Sequence, residues 1–212
     1  MRRLHAAVFL MAAAPIALGA VQTHLAFMAV DEALMLIRSG TPSELTRFHQ
    51  PYRVTVAKAP VDFLDVVTPF RAIVLAGSAR RAVGDRSFSQ RQALDMLQES
   101  GERLDVYVEM TFNPLNTFIG VPDYDVALIG GGKRVASLET RRVSRGTPRL
   151  EGLPAVPAPR ASSVPLGTRL LGATLIARFD LEALDAAGTY DVVVELPGEA
   201  VARASIGLAG MR

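Results

Sequence analysis

Cysteine is absent from the chain, and with it disulfides, thiolate nucleophiles, Cys-based zinc sites and a lipoprotein anchor on cysteine. The fold must hold itself together through its core. Tryptophan is absent as well, and aromatic residues amount to 6%, so the apolar mass is Val, Leu, Ala and Ile. The β-branched residues cluster in short runs, which favours strands over helices. Lysine is scarce: Lys58 and Lys133 stand alone, and every other cation is Arg. An excess of charge is missing too. Lys plus Arg number 23 against 21 Asp plus Glu, and Arg2 and Arg3, in a segment that looks removable, supply that excess. A chain that is neutral beyond that segment has no global attraction for nucleic acid or for an acidic membrane surface.

What is present begins with that segment. Arg2 and Arg3 form a basic start, and Ala6 to Leu18 is an uninterrupted apolar run of 13 residues. That length suits a signal peptide and is short for a bilayer span. Ala17 and Gly19 place small residues before a cleavage site, so residues 1–19 read as a signal peptide and the remainder as periplasmic or secreted. If the segment is retained instead, it anchors the protein to the membrane.

Residues 20–50 read as helical. Asp31 to Arg38 has helical character and Gly40 closes it, while Thr41-Pro42-Ser43-Glu44 is a helix start with a capping box. From Tyr52 the period changes to two, and residues 51–212 read as a β domain. Strands are expected near Tyr52–Lys58, Val61–Val67, Phe70–Ala76, Leu104–Phe112, Tyr124–Ile129, Arg134–Leu138, Arg169–Phe179, Asp191–Leu196 and Val201–Leu208. One inserted helix is expected after the capping box Ser89-Gln90-Arg91-Gln92, ending at Gly101. Residues 145–167 hold five of the 13 prolines and read as an extended connection, either a crossover or a divide between two sub-domains.

Towards the end, the helical corner Asp180–Ala187 is followed by Gly188, Thr189 and Tyr190 at the start of a strand. A tyrosine so placed resembles the tyrosine corner of immunoglobulin-like sandwiches, over about 40 residues. The resemblance implies an all-β, immunoglobulin-like antiparallel sandwich of about seven to nine strands, with an inserted helix and short N-terminal helices. It implies no activity.

No catalytic, metal or cofactor motif stands out. His24 and His49 lack carboxylates at metal-ligand spacing, so a surface or capping role is expected. Gly77-Ser78 lacks the spacing of a nucleophile elbow, and Gly130-Gly131-Gly132-Lys133 reads as a hairpin turn, since no helix follows it. Asp62, Asp65, Asp105, Glu109, Asp123 and Asp125 could supply a carboxylate pair or a calcium site if the fold gathered them, but Asp105 and Glu109 are expected to face solvent. Arg80, Arg81, Arg86 and Arg91 form a candidate anion patch. The best binding candidates are Asn113, Asn116, Thr117 and Phe118, in a loop between two clear strands, where amides flanked by aromatics suit a saccharide or peptide. The expected function is therefore an exported, non-catalytic binding or assembly module with a protein or saccharide partner and no cofactor. A hydrolase using gathered carboxylates and a membrane-tethered accessory subunit are the alternatives.

Overall fold

A computed structural model describes residues 27–146 and 169–211. The signal segment and all but the first two residues of the proline-rich stretch lie outside the described residues. Helices α1 (Phe27–Ser39) and α2 (Pro42–His49) lead into strands β1 (Arg53–Lys58) and β2 (Val61–Val67). Helices α3 (Pro69–Ala82) and α4 (Gln90–Ser100) precede β3 (Arg103–Thr111), β4 (Asp125–Gly130), β5 (Lys133–Ala136) and β6 (Glu139–Arg145). Strands β7 (Gly172–Asp180), β8 (Thr189–Leu196) and β9 (Glu199–Gly207) complete the fold.

The strands form two antiparallel sheets, one in the order β1-β2-β3-β7-β6 and the other β5-β4-β8-β9. Val106, Val108, Leu175 and Phe179 of the first sheet share one core with Val126, Leu128, Val192 and Ile206 of the second. This is the two-layer arrangement of a β-sandwich. Strand β7 lies after the proline-rich stretch, yet it pairs with β3 and β6 before it. Between β4 and β5, Gly131 and Gly132 have φ of 56° and 74°, the left-handed values of a two-residue hairpin turn.

The helices have a core of their own, in which Val30, Leu34 and Ile37 of α1 meet Phe70, Ile73 and Val74 of α3 and Ala93 of α4. All-β is thus too narrow a description: two sheets carry a helical layer. The stretch Phe70–Ala76, expected as a strand, belongs to α3. Thr68 accepts a hydrogen bond from the Arg71 amide as N-cap, and Pro69 occupies the first turn, where its missing N–H costs nothing. Phe70, Ile73, Val74 and Gly77 recur at helical spacing and face the helical core, while Ala72 and Leu75 pack on Val67, Tyr107 and Ile176 of the first sheet. A helix covered on two sides reads as an unbroken apolar run, and its β-branched residues then imitate a strand. Both expected capping boxes are formed, Thr41 with Glu44 and Ser89 with Gln92.

Strand β6 had no clear sequence signature, because Glu139, Arg141 and Arg142 make it a charged edge. The outer face of β3 departs from expectation too. Glu109 is only 4% exposed and Asp105 is half-buried, since β3 lies at the centre of its sheet. Their charges are met by arginines. Arg145 Nε lies 3.3 Å from Glu109, and Arg178, in register with Asp105 on one side and Glu139 on the other, lies 3.1 and 3.2 Å from their carboxylates.

Candidate functional site

The loop between β3 and β4 emerges where β7 begins and where β8 turns into β9 at Pro197-Gly198. Its amides hold the loop itself. Asn113 Oδ1 accepts from the Leu115 amide at 2.8 Å, and Asn116 Oδ1 accepts from the Phe118 amide at 3.0 Å. Asn116 Nδ2 donates to the carbonyls of Asn113 and Leu170, at 2.6 and 2.9 Å, and so ties the loop to the approach of β7. Thr117 is exposed. The Phe118 ring meets Phe112 edge-on at 5.1 Å, and Phe112 stacks on Tyr124. Tied down by Asn113 and Asn116, the loop presents apolar side chains to water: Leu115 is 82% exposed, Ile119 97% and Phe118 38%. Leu115 and Ile119 were not singled out from sequence. The usable signal was the pair of Asx-turn residues, Asn113 and Asn116, with Leu115 between them and Ile119 just beyond, which fixes a loop without burying it.

Beside this loop, Asp123, Asp125, Glu195 and Glu199 surround a hollow of about 420 Å³ at the Pro197-Gly198 turn. Glu195 pairs with Arg134, and Asp125 Oδ1 accepts from the Val126 amide and Thr140. No group of three or more His, Asp or Glu among the described residues could hold a metal ion. Among the same residues no helix is long and apolar enough to cross a membrane.

The remaining candidate carboxylates are bound into the scaffold. Asp62 accepts from Thr111 at 2.7 Å. Asp65, 1% exposed, pairs with Arg53 at 3.0 Å and with the equally buried Arg71, which also donates to the Val66 carbonyl. The Arg71 Nε donates to His49 Nδ1 at 3.3 Å, and its guanidinium lies 4.7 Å from the centre of the Tyr52 ring. His49 therefore sits in a half-buried network, not on the open surface. Burial first, and the Arg71 cation second, hold its pKa down to about 4. Burial pushes the Asp105 carboxyl up and the Tyr107 hydroxyl up to about 12.

A second hollow lies in the helical layer. Leu34, Ile37 and Arg38 of α1, Gly77 and Arg81 of α3, and Asp85, Arg86 and Phe88 of the following connection line a groove of about 350 Å³. Of the four arginines expected to form an anion patch, Arg81 and Arg86 reach it. Arg80 instead lies over the Phe88 ring and 3.8 Å from Asp85, and Arg91 stays apart on α4. Arg38, distant in sequence, joins through the packing of α1 on α3. Gly77-Ser78 lies within α3, so it forms no strand-to-helix elbow. Compared with models of protein families, with curated proteins and with solved structures, the chain matches none.

Proposed function

We propose that the protein is an exported, non-catalytic binding or assembly module, built on an immunoglobulin-like sandwich, that docks a protein partner at its loop end. The strand order supports the architecture. Taking β2, β3, β7 and β6 as strands A, B, E and D, and β5, β4, β8 and β9 as C′, C, F and G, reproduces the two sheets of that fold, with β1 added at an edge. Tyr190 at the start of β8 accepts a hydrogen bond from the Asp185 amide at 2.6 Å, as a tyrosine corner does. In this lettering the loop at 113–122 joins strands B and C, and the Pro197-Gly198 turn joins F and G at the same end. Immunoglobulin variable domains use those two loops for recognition.

The observation that carries the reading is the display of Leu115, Phe118 and Ile119 on a loop that Asn113 and Asn116 tie down from within. Exposed apolar side chains on a rigid loop gain about 1.5–3 kcal/mol each when a partner covers them. The Asn116 amide is committed to the loop and the side chains displayed beside it are apolar, so a protein with an apolar contact surface is a better fit than a saccharide. The test is photo-crosslinking in the native host from position 119, with position 133 at the opposite end of the sheets as control. A discrete protein adduct from 119 alone, lost in Leu115→Ser/Phe118→Ser, is the expected result. The same adducts from both positions, or an adduct that survives the double substitution, would overturn the reading.

A further inference from the structure

We propose that the partner at the loop end presents a basic amphipathic segment. Its apolar side chains cover Leu115, Phe118 and Ile119, and its lysines or arginines enter the hollow beside Pro197-Gly198. The inference rests on the docking reading given above and adds the charge of the partner. Residues 113–122 carry no charged side chain, and the first charge after them is Asp123, 86% exposed. Four residues of chain lead from Ile119 to Asp123, so their Cα atoms lie within about 14 Å, and one short segment of a partner reaches both.

The hollow holds more carboxylate than the described residues neutralise. On the paired strands β4 and β8, Asp125 stands directly opposite Glu195, an arrangement of like charges that weakens a sheet. Glu199 opens β9 across the Pro197-Gly198 turn, and Asp123 completes the rim. Among the described residues, two guanidinium groups answer these four acids. Arg134 pairs with Glu195. Arg142 is turned to the Tyr124 carbonyl, at 3.1 and 2.8 Å, and stays 3.9 Å from Asp123. Asp125 takes hydrogen bonds from the Val126 amide and Thr140. Glu199 is exposed and has no cation within ion-pair distance among the described residues. Arg169, also exposed, precedes β7 of the first sheet, whereas the hollow belongs to the second. Exposed apolar side chains and under-neutralised acids thus adjoin on one surface. Docking surfaces combine an apolar centre with charges matched across the rim, and the charges steer encounter and reject partners of the wrong sign. An anionic membrane surface has the wrong sign for these carboxylates, which leaves a protein as the occupant.

The test is photo-crosslinking from position 119 in the native host, in the parent and in Asp123→Asn/Glu199→Gln, with the attached partner peptide sequenced by mass spectrometry. The attached peptide should hold Lys or Arg beside its apolar residues, and the adduct should fall about fivefold in the variant. Far-UV circular dichroism of the variant should match the parent, because both side chains are exposed. Arg169→Gln should leave the adduct undiminished. An adduct undiminished in Asp123→Asn/Glu199→Gln, an attached peptide without Lys or Arg, or one from a second copy of this chain would overturn the basic partner while leaving docking at the loop in place. Absence of a discrete adduct in the parent would overturn both.

Discussion

At His49 the chain keeps an imidazole neutral by surrounding it with protein and with the guanidinium of Arg71, which donates to its Nδ1. The consequence for stability has a definite sign. The unfolded chain takes up a proton near pH 6.5, whereas the folded chain resists protonation until pH falls to about 4. The stability this site contributes is therefore complete above pH 6.5 and declines as pH falls from there towards 4. Chemical denaturation at pH 7, 5.5 and 4.5 should record that decline. In His49→Gln, where the amide oxygen can still accept from Arg71, the loss across this window should be smaller. An unchanged pH profile would mean that His49 is not the group responsible. Nothing around His49 in the sequence announces this environment, because Arg71 and Asp65 reach it only through the packing of α3 on β2.

At the scale of elements, the helix ends separate what local chemistry decides from what packing decides. Thr41 with Glu44 and Ser89 with Gln92 form reciprocal caps that could be read directly, since a capping box involves four consecutive residues. Thr68 caps α3 with its own side chain alone, without a reciprocal partner, and it is fully buried at the junction of β2 and the helix. Its replacement by Ala would leave the Arg71 amide without its acceptor in a place water does not reach. Thr68→Ala should therefore cost about 2 kcal/mol, and Ser89→Ala about 1 kcal/mol or less, measured by urea denaturation. Equal costs would show that burial adds nothing to the cap. The strand expected at Phe70–Ala76 was misread because both sides of α3 are covered, which removes the amphipathic alternation that distinguishes helix from strand.

The whole molecule joins a sandwich core to a helical core, and few side chains cross between them. Phe48 packs against both cores and meets His49, Tyr52 and Phe70 at ring distances of 5.0, 5.4 and 5.8 Å. Arg71 fastens α3 to β2 through Asp65 and the Val66 carbonyl. So bridged, the two layers should unfold together, with far-UV circular dichroism and tyrosine fluorescence giving coincident transitions. Arg71→Leu should lower that single transition by about 3–5 kcal/mol, because Asp65 would remain buried without its main counter-charge. Asp65→Leu/Arg71→Leu should recover part of the loss. Two separate transitions in the parent protein would show that the layers are independent units.

The sequence by itself determined the local features: the absence of cysteine chemistry, the period-two strands of β1 and β3, the Gly131-Gly132 turn, the two capping boxes and the position of Tyr190 at a corner. Each depends on residues within one or two turns of the chain, where propensity and hydrogen-bonding geometry act directly. It also located the loop at Asn113–Phe118, but not which of its groups face outward. The tertiary structure decided that Asn113 and Asn116 hold the loop and Leu115 and Ile119 are displayed. It also decided that Asp105 and Glu109 are paired with arginines of β7 and β6, and that Phe70–Ala76 is helical. Those outcomes depend on burial and charge pairing between residues far apart in sequence, and such pairings exist only once the sheets and helices have packed.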